Sequence, residues 1–278
     1  MTPARSPGLG AEDQQELVQG RQLLLILVAF HPPDLHVQAL RTCLAALPPE
    51  IGYAVVANQY RAGEPVDRLR AGADRFLTFS ENLGYGRAIN RMVASLPDPP
   101  PWLGALNTDL SWNPGTFETL LAWLSHHPEV VLAVPEIQNP DGRPQPLCKR
   151  DPSLLALISR RFLPEAIKPR WLRRYDARFQ MVDQDLSQPL DVPYLSGCCM
   201  LIRGTAFAAV GGFDRRFFLY LEDADLSRSL RVFGRCLHLP VAAVRHHWGR
   251  GNHSSPWLTL VNIQSVWLYF SKWGWRWW

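Results

Sequence analysis

Three acidic side chains follow directly on an apolar run in the stretch FFLYLEDADLSRSLR, at residues 217–231: Glu222, Asp223 and Asp225. They stand at the predicted start of a helix that stops near Gly234. Acids in a first helical turn complement the helix dipole by about 0.3–1 kcal/mol each, so one of them needs no further cause. Three acidic residues are more than helix capping requires. A carboxylate held in the first turn can act as a general base or help to bind a cation.

A second acidic position lies in NTDL, residues 107–110. Asp109 comes at the end of a predicted buried strand, close behind Asn107. Hard cations such as Mg²⁺ and Mn²⁺ take one or two protein carboxylates and complete their coordination with phosphate oxygens and water. The same two residues could instead form a turn or cap the next helix. The motif alone leaves both interpretations open.

The stretch ENLGYGRAIN, residues 81–90, carries two glycines that could let the backbone approach a phosphate or a base closely. A dinucleotide-binding fingerprint is disfavoured, because the stretch does not follow the first strand and Ile89 replaces the third glycine or alanine. A plain strand-to-helix turn remains the alternative at Gly84 and Gly86.

Three histidines in RHHWGRGNHS, residues 245–254, could supply a metal or phosphate ligand: His246, His247 and His253. A loop histidine is more often a surface residue that hydrogen-bonds. His246 is the best placed of the three, because it ends the apolar strand that contains LPVAAV.

The elements that must position these residues are short apolar strands alternating with amphipathic helices. Strands are predicted at 23–30, 53–58, 75–80, 101–110 and 130–137, with helices at 35–47 and 114–126 and after residue 84. This alternation indicates an α/β fold whose mostly parallel central sheet is flanked by helices. Ligands of such sheets bind at the carboxyl ends of the strands. His31, Asn58, Asn82, Asn107 and Asp109 occupy those ends.

The alternation of strands and helices ends after residue 137. A loop leads to a basic segment at 153–178, then to a predicted strand at 191–203 and the acidic motif. We divide the chain into a mobile tail (1–21), a first half (22–137), a second half (138–253) and a C-terminal amphipathic, tryptophan-rich helix (254–278).

The composition bounds the function. The 278 residues carry a net charge of +4, with a pI near 8.9, which is too mildly basic for a dedicated nucleic-acid binder but suits anionic substrates or an anionic membrane face. The five cysteines show no CxxC spacing, so we expect no disulfide framework or zinc site and a reducing, cytoplasmic compartment. The first 20 residues contain no signal-peptide core, and the apolar run 23–30 is far shorter than the roughly 20 residues that span a bilayer.

Taken together and in this order, the motifs closely resemble family 2 glycosyltransferases with the GT-A (nucleotide-diphospho-sugar transferase) fold, especially the bacterial rhamnosyltransferase-like branch. The most specific part is residues 194–234, which matches the family's Ser-Gly, Gly-Gly-Phe-Asp, Phe-Phe-x-Tyr and Glu-Asp-x-Asp elements. ENLGYGRAIN, LNTD and HHWG fall where the family has its Asn-x-Gly, metal-binding acid and His-Gly elements.

The resemblance implies an inverting, metal-dependent sugar transfer. Asp109 would bind Mg²⁺ or Mn²⁺, with His246 reaching the metal or the diphosphate, and Asp223 would take the proton from the acceptor hydroxyl. Glu222, Asp225 and Asp214 would contact the acceptor, unless Glu222 and Asp225 instead hold the start of the helix. The nucleotide-sugar pocket in the half at 22–137 would be lined by Ala29, His31, Asn58, Asn82, Gly84 and Asn107.

One departure concerns the nucleotide. The family commonly ends its second strand in Asp-Asn-x-Ser, whereas this chain has Ala57-Asn58-Gln59-Tyr60, so a base contact must come from Asn58, Gln59 or the backbone.

The resemblance also implies the partners. The donor would be a nucleoside-diphosphate sugar, with dTDP-rhamnose expected, and the acceptor a saccharide, free or carried on polyprenyl diphosphate, in cell-surface polysaccharide synthesis. The acceptor site and catalytic residues would lie in the half at 138–253. A peripheral position on the inner face of the plasma membrane would use two sets of side chains, the basic Arg160, Arg161, Lys168, Arg170, Arg173 and Arg174, and the tryptophans Trp267, Trp273, Trp275, Trp277 and Trp278.

Two other function classes remain open at this point. Clustered carboxylates also serve metal-dependent phosphohydrolases, which would release phosphate without a sugar acceptor. A non-catalytic sugar-nucleotide-binding protein could keep the fold and lose the chemistry, and Ala57 fits that alternative.

Overall fold

The computed structural model describes residues 20–247 and 255–278. Within them, nine strands join in one sheet. The strands are β1 (Leu23–Ala29), β2 (Ile51–Ala57), β3 (Arg75–Thr78), β4 (Trp102–Asn107), β5 (Leu110–Trp112), β6 (Val130–Gln138), β7 (Leu190–Asp191), β8 (Cys199–Arg203) and β9 (Arg235–His246).

The helices alternate with these strands as the sequence predicts. They are α1 (Asp34–Ala45), a 3₁₀ helix (Pro65–Gly72), α2 (Tyr85–Ala94), α3 (Thr116–Ser125), α4 (Leu154–Phe162), a 3₁₀ turn (Glu165–Ile167), α5 (Arg170–Phe179), α6 (Gly204–Ala209), α7 (Glu222–Leu230) and α8 (Pro256–Trp273).

The sheet is mostly parallel, which confirms the predicted α/β class. Its order is β3-β2-β1-β4-β8-β6-β9-β5, with β7 paired to β9. Strands β1 to β4 run in parallel, β8 is antiparallel to both β4 and β6, and β9 is parallel to β6. The carboxyl ends of β1, β2, β4, β6 and β9 therefore share one edge of the sheet with the amino end of β8.

The register aligns the ends of the strands. Ala29 pairs with Ala57, and Val28 pairs with Asn107. The strand interiors are almost entirely buried, as expected for a sheet covered by helices on both faces. Residues that follow these strands must therefore emerge side by side.

Two predicted strands are shorter than expected. The strand predicted at 101–110 ends at Asn107, and Leu110–Trp112 turns away to pair with β9. Of the strand predicted at 191–203, only Leu190–Asp191 and Cys199–Arg203 are extended in the sheet. The break leaves residues 192–198 as an irregular connection along the carboxyl edge of the parallel strands.

A second, smaller core lies beneath the helices of the second half. It contains Phe179, Tyr194, Phe217, Leu221, Tyr269 and Phe270. Helices α4, α5 and α8 pack here together with the apolar run that precedes Glu222. This cluster explains why an apolar stretch leads directly into a group of acids. Phe217 and Leu221, in the stretch that precedes Glu222, are buried in the cluster, and their burial holds the start of α7.

Candidate active site

The turn before α7 has an unusual backbone. Tyr220 and Leu221 both have positive φ angles, 70° and 62°, a conformation that non-glycine residues adopt rarely. Phe217 and Leu221 are buried on either side of the turn, at 1% and 4% exposure. Their burial offsets a conformational cost of about 1–3 kcal/mol per residue and fixes the direction in which α7 begins.

Gly84 supports this turn from outside. The Tyr85 backbone N–H donates to the Phe218 carbonyl at 3.3 Å. A Cβ atom at Gly84, whose φ is +82°, would lie 2.1 Å from that same carbonyl oxygen. The space left by the missing side chain is therefore filled by protein backbone, and the glycine lets the two segments touch.

Asp223 lies half-buried on the first turn of α7. Its Oδ2 accepts a hydrogen bond from the Gly197 N–H at 2.9 Å, and its Oδ1 accepts from the Ala224 N–H at 2.9 Å. The Tyr85 hydroxyl donates to the Gly197 carbonyl at 2.7 Å and fixes the partner in turn. The Asp223 carboxylate is thus oriented by backbone groups, and the residue is only partly buried.

Glu222 has a different environment from its neighbour. It is 6% exposed, and its Oε2 has no hydrogen-bond partner among the described residues. Burial, followed by the charge of Asp223, raises the pKa of Glu222 to about 8. At neutral pH Glu222 therefore keeps its proton.

The carboxylates of Asp225 and Asp214 bind side chains of the C-terminal helix α8. Asp225 is 2% exposed and accepts from Lys272 Nζ at 2.8 Å and from the Trp273 indole N–H at 2.7 Å. Asp214 accepts from Arg216 at 2.6 Å and from Lys272 at 3.2 Å. Of the two roles predicted for Asp225, this geometry favours structural support of the helix start, and Asp214 joins it in anchoring α8.

Asp109 and His246 come together at the sheet edge. Asp109 Oδ1 lies 3.3 Å from His246 Nε2, and each of these two atoms is buried without a hydrogen-bond partner among the described residues. Burial raises the pKa of Asp109, but the neighbouring His246 ring outweighs burial and leaves that pKa lowered. The carboxylate is therefore ionised at neutral pH.

Gln145 fixes the state of the His246 ring. Its side-chain N–H₂ donates to the His246 carbonyl at 3.1 Å and to Asn139 Oδ1 at 3.1 Å, so its Oε1 must be the atom 3.0 Å from His246 Nδ1. Nδ1 then carries a proton that it donates to Gln145, and Nε2 is the ring nitrogen that faces the Asp109 carboxylate. Two acceptors this close require a cation between them, either a proton or a metal ion.

The fit to a hard divalent cation is therefore good. One carboxylate oxygen and one imidazole nitrogen point at a common position, and the amide of Gln145 orients the imidazole. No third His, Cys, Asp or Glu joins them in the part of the chain that the structure describes. His247 lies beside the pair with its Nε2 2.8 Å from Ser111 Oγ, and His253 is outside the described residues.

The connection at 192–198 brings the two acidic positions to one place. The Cys198 carbonyl accepts from the Asn107 N–H at 2.9 Å, two residues before Asp109, while Gly197 binds Asp223. Burial raises the pKa of the Cys198 thiol to about 12, and the charges of Asp109 and Asp223 both act in that direction. Both carboxylates thus lie within electrostatic reach of one thiol.

In the pocket predicted for the nucleotide, Asn58 and Asn82 hold a turn through hydrogen bonds. Asn58 is 2% exposed, donates to Asn82 Oδ1 at 2.8 Å and accepts from the Leu83 N–H at 2.8 Å. Asn82 Oδ1 also accepts from the Gly84 N–H at 2.9 Å. The base contact expected of Asn58 is corrected by this geometry, because its side chain is enclosed and its amide is used within the protein.

His31 follows the buried Ala29 and stays accessible at the end of β1. Its Nδ1 lies 2.5 Å from Glu64 Oε1, and its Nε2 lies 3.4 Å from Gln59 Oε1. Phe30, half exposed, stacks at a tilt on the His31 ring with centroids 4.6 Å apart. Gln59 and His31 are thus the polar side chains left to face a ligand here.

Sequence reasoning missed several residues of this site. Gln145 and Tyr85 act through hydrogen bonds to groups more than 100 positions away. Glu64 reaches His31 from a separate loop. No local spacing signals such partners, because the fold alone brings them together.

The geometry of the site and the sequence both agree with a known family of enzymes. The family model for glycosyl transferase family 2 matches residues 64–211. The chain belongs to this family.

Among curated relatives, it is 34% identical over 217 residues to an N-acetylglucosaminyl-diphospho-decaprenol L-rhamnosyltransferase of Mycobacterium tuberculosis, a match that covers 69% of this chain and 68% of that protein. It is also 38% identical over 63 residues to the rhamnosyltransferase WbbL of Escherichia coli, covering 23% of this chain and 20% of that one.

Solved structures agree on the fold. GalNAc-T7 with UDP, GalNAc and Mn²⁺ superposes with a TM-score of 0.64 at 13% identity, covering 91% of this chain and 48% of that one. The Pyrobaculum calidifontis mannosyltransferase PcManGT, with GDP-Man and Mn²⁺, superposes with a TM-score of 0.58 at 13% identity, covering 92% and 65%. This chain therefore spans about half to two thirds of these structures, and the likeness confirms the GT-A fold.

Proposed function

We propose that this protein is an inverting, divalent-cation-dependent glycosyltransferase. The sugar, expected to be rhamnose, would pass from a nucleoside-diphosphate donor to a saccharide carried on polyprenyl diphosphate, with N-acetylglucosamine as the sugar already attached. The observation that supports this most is the connection at 192–198, which places Asp223 and the Asp109–His246 pair around one stretch of backbone. The substrates follow those named for the mycobacterial relative.

Asp223 is the residue placed to take a proton. The acceptor hydroxyl would approach its carboxylate and attack the anomeric carbon from the face opposite the diphosphate, so that one C–O bond forms as the other breaks. Gly197 and Tyr85 hold the carboxylate in position, and the neighbouring Glu222 keeps its own proton at neutral pH. A bound cation would supply Lewis-acid stabilisation of the departing diphosphate. Asp109 and His246 would hold it.

The test uses substitutions that change charge and preserve shape. Asp223→Asn should retain Mn²⁺-dependent binding of dTDP-rhamnose in a thermal-shift assay and lose transfer by about 10²–10⁴-fold, the usual contribution of a general base. Asp109→Asn should lose the Mn²⁺-dependent part of donor binding itself. The exposed Asp98→Asn, at the amino end of β4, is the matched control.

Three outcomes contradict the proposal in different ways. Turnover by Asp223→Asn close to that of the wild type would remove its role as base. Release of phosphate without an acceptor would indicate a phosphohydrolase. Metal-dependent donor binding without transfer to any acceptor would indicate a binding protein.

A lipid-linked acceptor brings the enzyme to a bilayer, and α8 offers a surface for it. The helix carries an outward stripe of exposed apolar side chains at helical spacing: Trp257 (64%), Leu260 (62%), Ile263 (52%) and Trp267 (58%). On α4, Arg161 donates to Thr259 of α8 at 2.7 Å, and α4 adds the exposed Ile158 and Phe162. We call these six apolar residues the α4–α8 stripe.

The charge around the stripe fits an anionic bilayer, which for a cytoplasmic protein is the inner face of the plasma membrane. Exposed Arg170, Arg173 and Arg174 lie on α5, the helix that packs beside α4. Two residues of the predicted contact set are corrected by the structure. Lys168 is buried, at 4% exposure, between Glu165 and Asp176, and Trp273 uses its indole N–H on Asp225. No helix among the described residues has the length and apolarity needed to cross a membrane.

A further inference from the structure

Lys149 is a cation without a counter-charge. Its backbone pairs in both directions with that of Tyr194, at 3.1 and 3.0 Å, and its Nζ lies 4.3 Å from the centroid of the Tyr194 ring. The side chain is half-buried. Among the residues that the structure describes, none gives this ammonium an ion pair or a hydrogen bond. An aromatic face stabilises a cation only in part.

The neighbouring cations make the contrast clear. Arg150, the next residue, binds both carboxylate oxygens of Asp183 at 2.9 Å. Arg231 binds Asp151 at 2.6 Å. Lys149 differs from these two neighbours in having no carboxylate partner among the described residues.

Arg160 of α4 is a second exception. Its guanidinium carbon lies 5.6 Å from the centroid of the Phe179 ring, and no carboxylate pairs with it among the described residues. Phe179 and Tyr194 belong to the same buried cluster, so Arg160 and Lys149 each contact a ring of one aromatic cluster.

The two cations and the proposed base act on one another. Burial lowers the pKa of Lys149, the charge of Asp223 raises it, and the charge of Arg160 lowers it. Tyr194, whose ring Lys149 contacts, is 8% exposed, and burial followed by the charge of Asp223 raises its pKa well above the ordinary value. The two like charges repel one another, and an anion bound next to both would relieve that repulsion.

We propose that Lys149 and Arg160 form the subsite for the diphosphate of the acceptor, an inference that rests on the proposed function. A sugar attached to diphosphate at its anomeric carbon presents its reacting hydroxyl about one ring width from the phosphates. Lys149 pairs with Tyr194, three residues before the Gly197 that binds Asp223, and Arg160 lies on α4. Because the same helix carries Ile158 and Phe162 of the α4–α8 stripe, the prenyl chain can leave the subsite toward the bilayer.

Two substitutions at one position separate charge from packing. Lys149→Met keeps an apolar stem on the Tyr194 ring and removes the charge, whereas Lys149→Arg keeps the charge. Arg160→Gln removes the second cation. Arg235→Met, an exposed cation at the start of β9 that pairs with Asp191 at 2.6 Å, is the control far from the carboxyl edge of the sheet.

The kinetic test compares two acceptors, farnesyl-diphosphate-linked N-acetylglucosamine and octyl N-acetylglucosaminide, which lacks the diphosphate. Lys149→Met and Arg160→Gln should each raise KM for the first acceptor about 10-fold or more, the range expected for a lost hydrogen bond to a charged group. They should leave KM for the octyl glycoside within about 2-fold, and Lys149→Arg should stay near the wild type. An equal rise for both acceptors, or none for either, overturns the inference.

A binding measurement keeps this inference separate from the proposed function. Isothermal titration with farnesyl diphosphate, without donor or metal, should show binding that farnesol does not and that Lys149→Met loses. If the wild type transfers sugar while the Lys149 and Arg160 variants bind farnesyl diphosphate unchanged, the subsite is wrong and the function stands. If binding depends on Lys149 and the wild type transfers to no acceptor, the subsite stands and the function is wrong.

Discussion

Replacing Gly84 by alanine tests the link between two distant parts of the proposed site. Gly84 lies directly before α2, in contact with the turn that leads to Asp223. Its φ of +82° is strained for any residue with a Cβ, and that Cβ would lie 2.1 Å from the Phe218 carbonyl oxygen. Nothing flexible can yield there, because the atom it meets belongs to the backbone.

The loss of stability expected for Gly84→Ala is the sum of two contributions. The positive φ costs an alanine about 1–2 kcal/mol. Relief of the overlap requires the two backbone segments to separate by about 1 Å, which breaks the 3.3 Å hydrogen bond from Tyr85 to Phe218 and costs a further ~1–2 kcal/mol. We expect Gly84→Ala to lower the free energy of unfolding by roughly 3 kcal/mol, or Tm by about 6–12 °C for a chain of this size.

Gly115→Ala isolates the first contribution. Gly115 has nearly the same φ, +85°, but nothing lies within 4 Å of the Cβ it would gain. Thermal denaturation of the two variants should therefore differ by several degrees, and Gly84→Ala alone should also lower kcat, because the separation moves the turn that orients Asp223. Equal Tm values for the two variants would refute the close contact, and full activity of a destabilised Gly84→Ala would refute its effect on the base.

Two further predictions concern Glu222 and the α4–α8 stripe. Because burial raises the folded-state pKa of Glu222 to about 8, the folded protein holds a proton that the unfolded chain releases near pH 4.5, so stability falls as pH rises between these values. Glu222→Gln removes this titration, so its Tm relative to that of the wild type should rise from pH 5 to pH 8.5, and a difference independent of pH would contradict the assignment. The double change Leu260→Ser and Trp267→Ser should weaken sedimentation with phosphatidylglycerol-containing vesicles about 10-fold or more, whereas Val232→Ser, at 81% exposure on another surface, should not. Equal binding by both variants would count against the stripe.

The sequence predicted the strands and helices of the first half well. Each is an apolar run or an amphipathic pattern bounded by proline, glycine or polar residues, and the local signal is the structural cause. Asp109 and Asp223 could be singled out for the same reason, since acids directly behind apolar segments are unusual. Prediction failed where contacts are distant or the backbone is atypical. Nothing in Tyr220 and Leu221 signals two consecutive positive φ angles, which only the burial of Phe217 and Leu221 explains.

The C-terminal helix α8 is linked directly to the first turn of α7, which carries Asp223. Lys272 and Trp273 end α8 and bind the buried carboxylate of Asp225, two residues beyond Asp223. Removing one partner of a buried ion pair leaves an uncompensated charge, so this anchor holds the apolar face of α8 and the first turn of α7 in a fixed relation. The helix that we propose to face the bilayer is thus also the helix that holds the first turn of α7, which carries the proposed base. A lipid-linked acceptor delivered along α8 would meet Asp223 at a distance set by the fold.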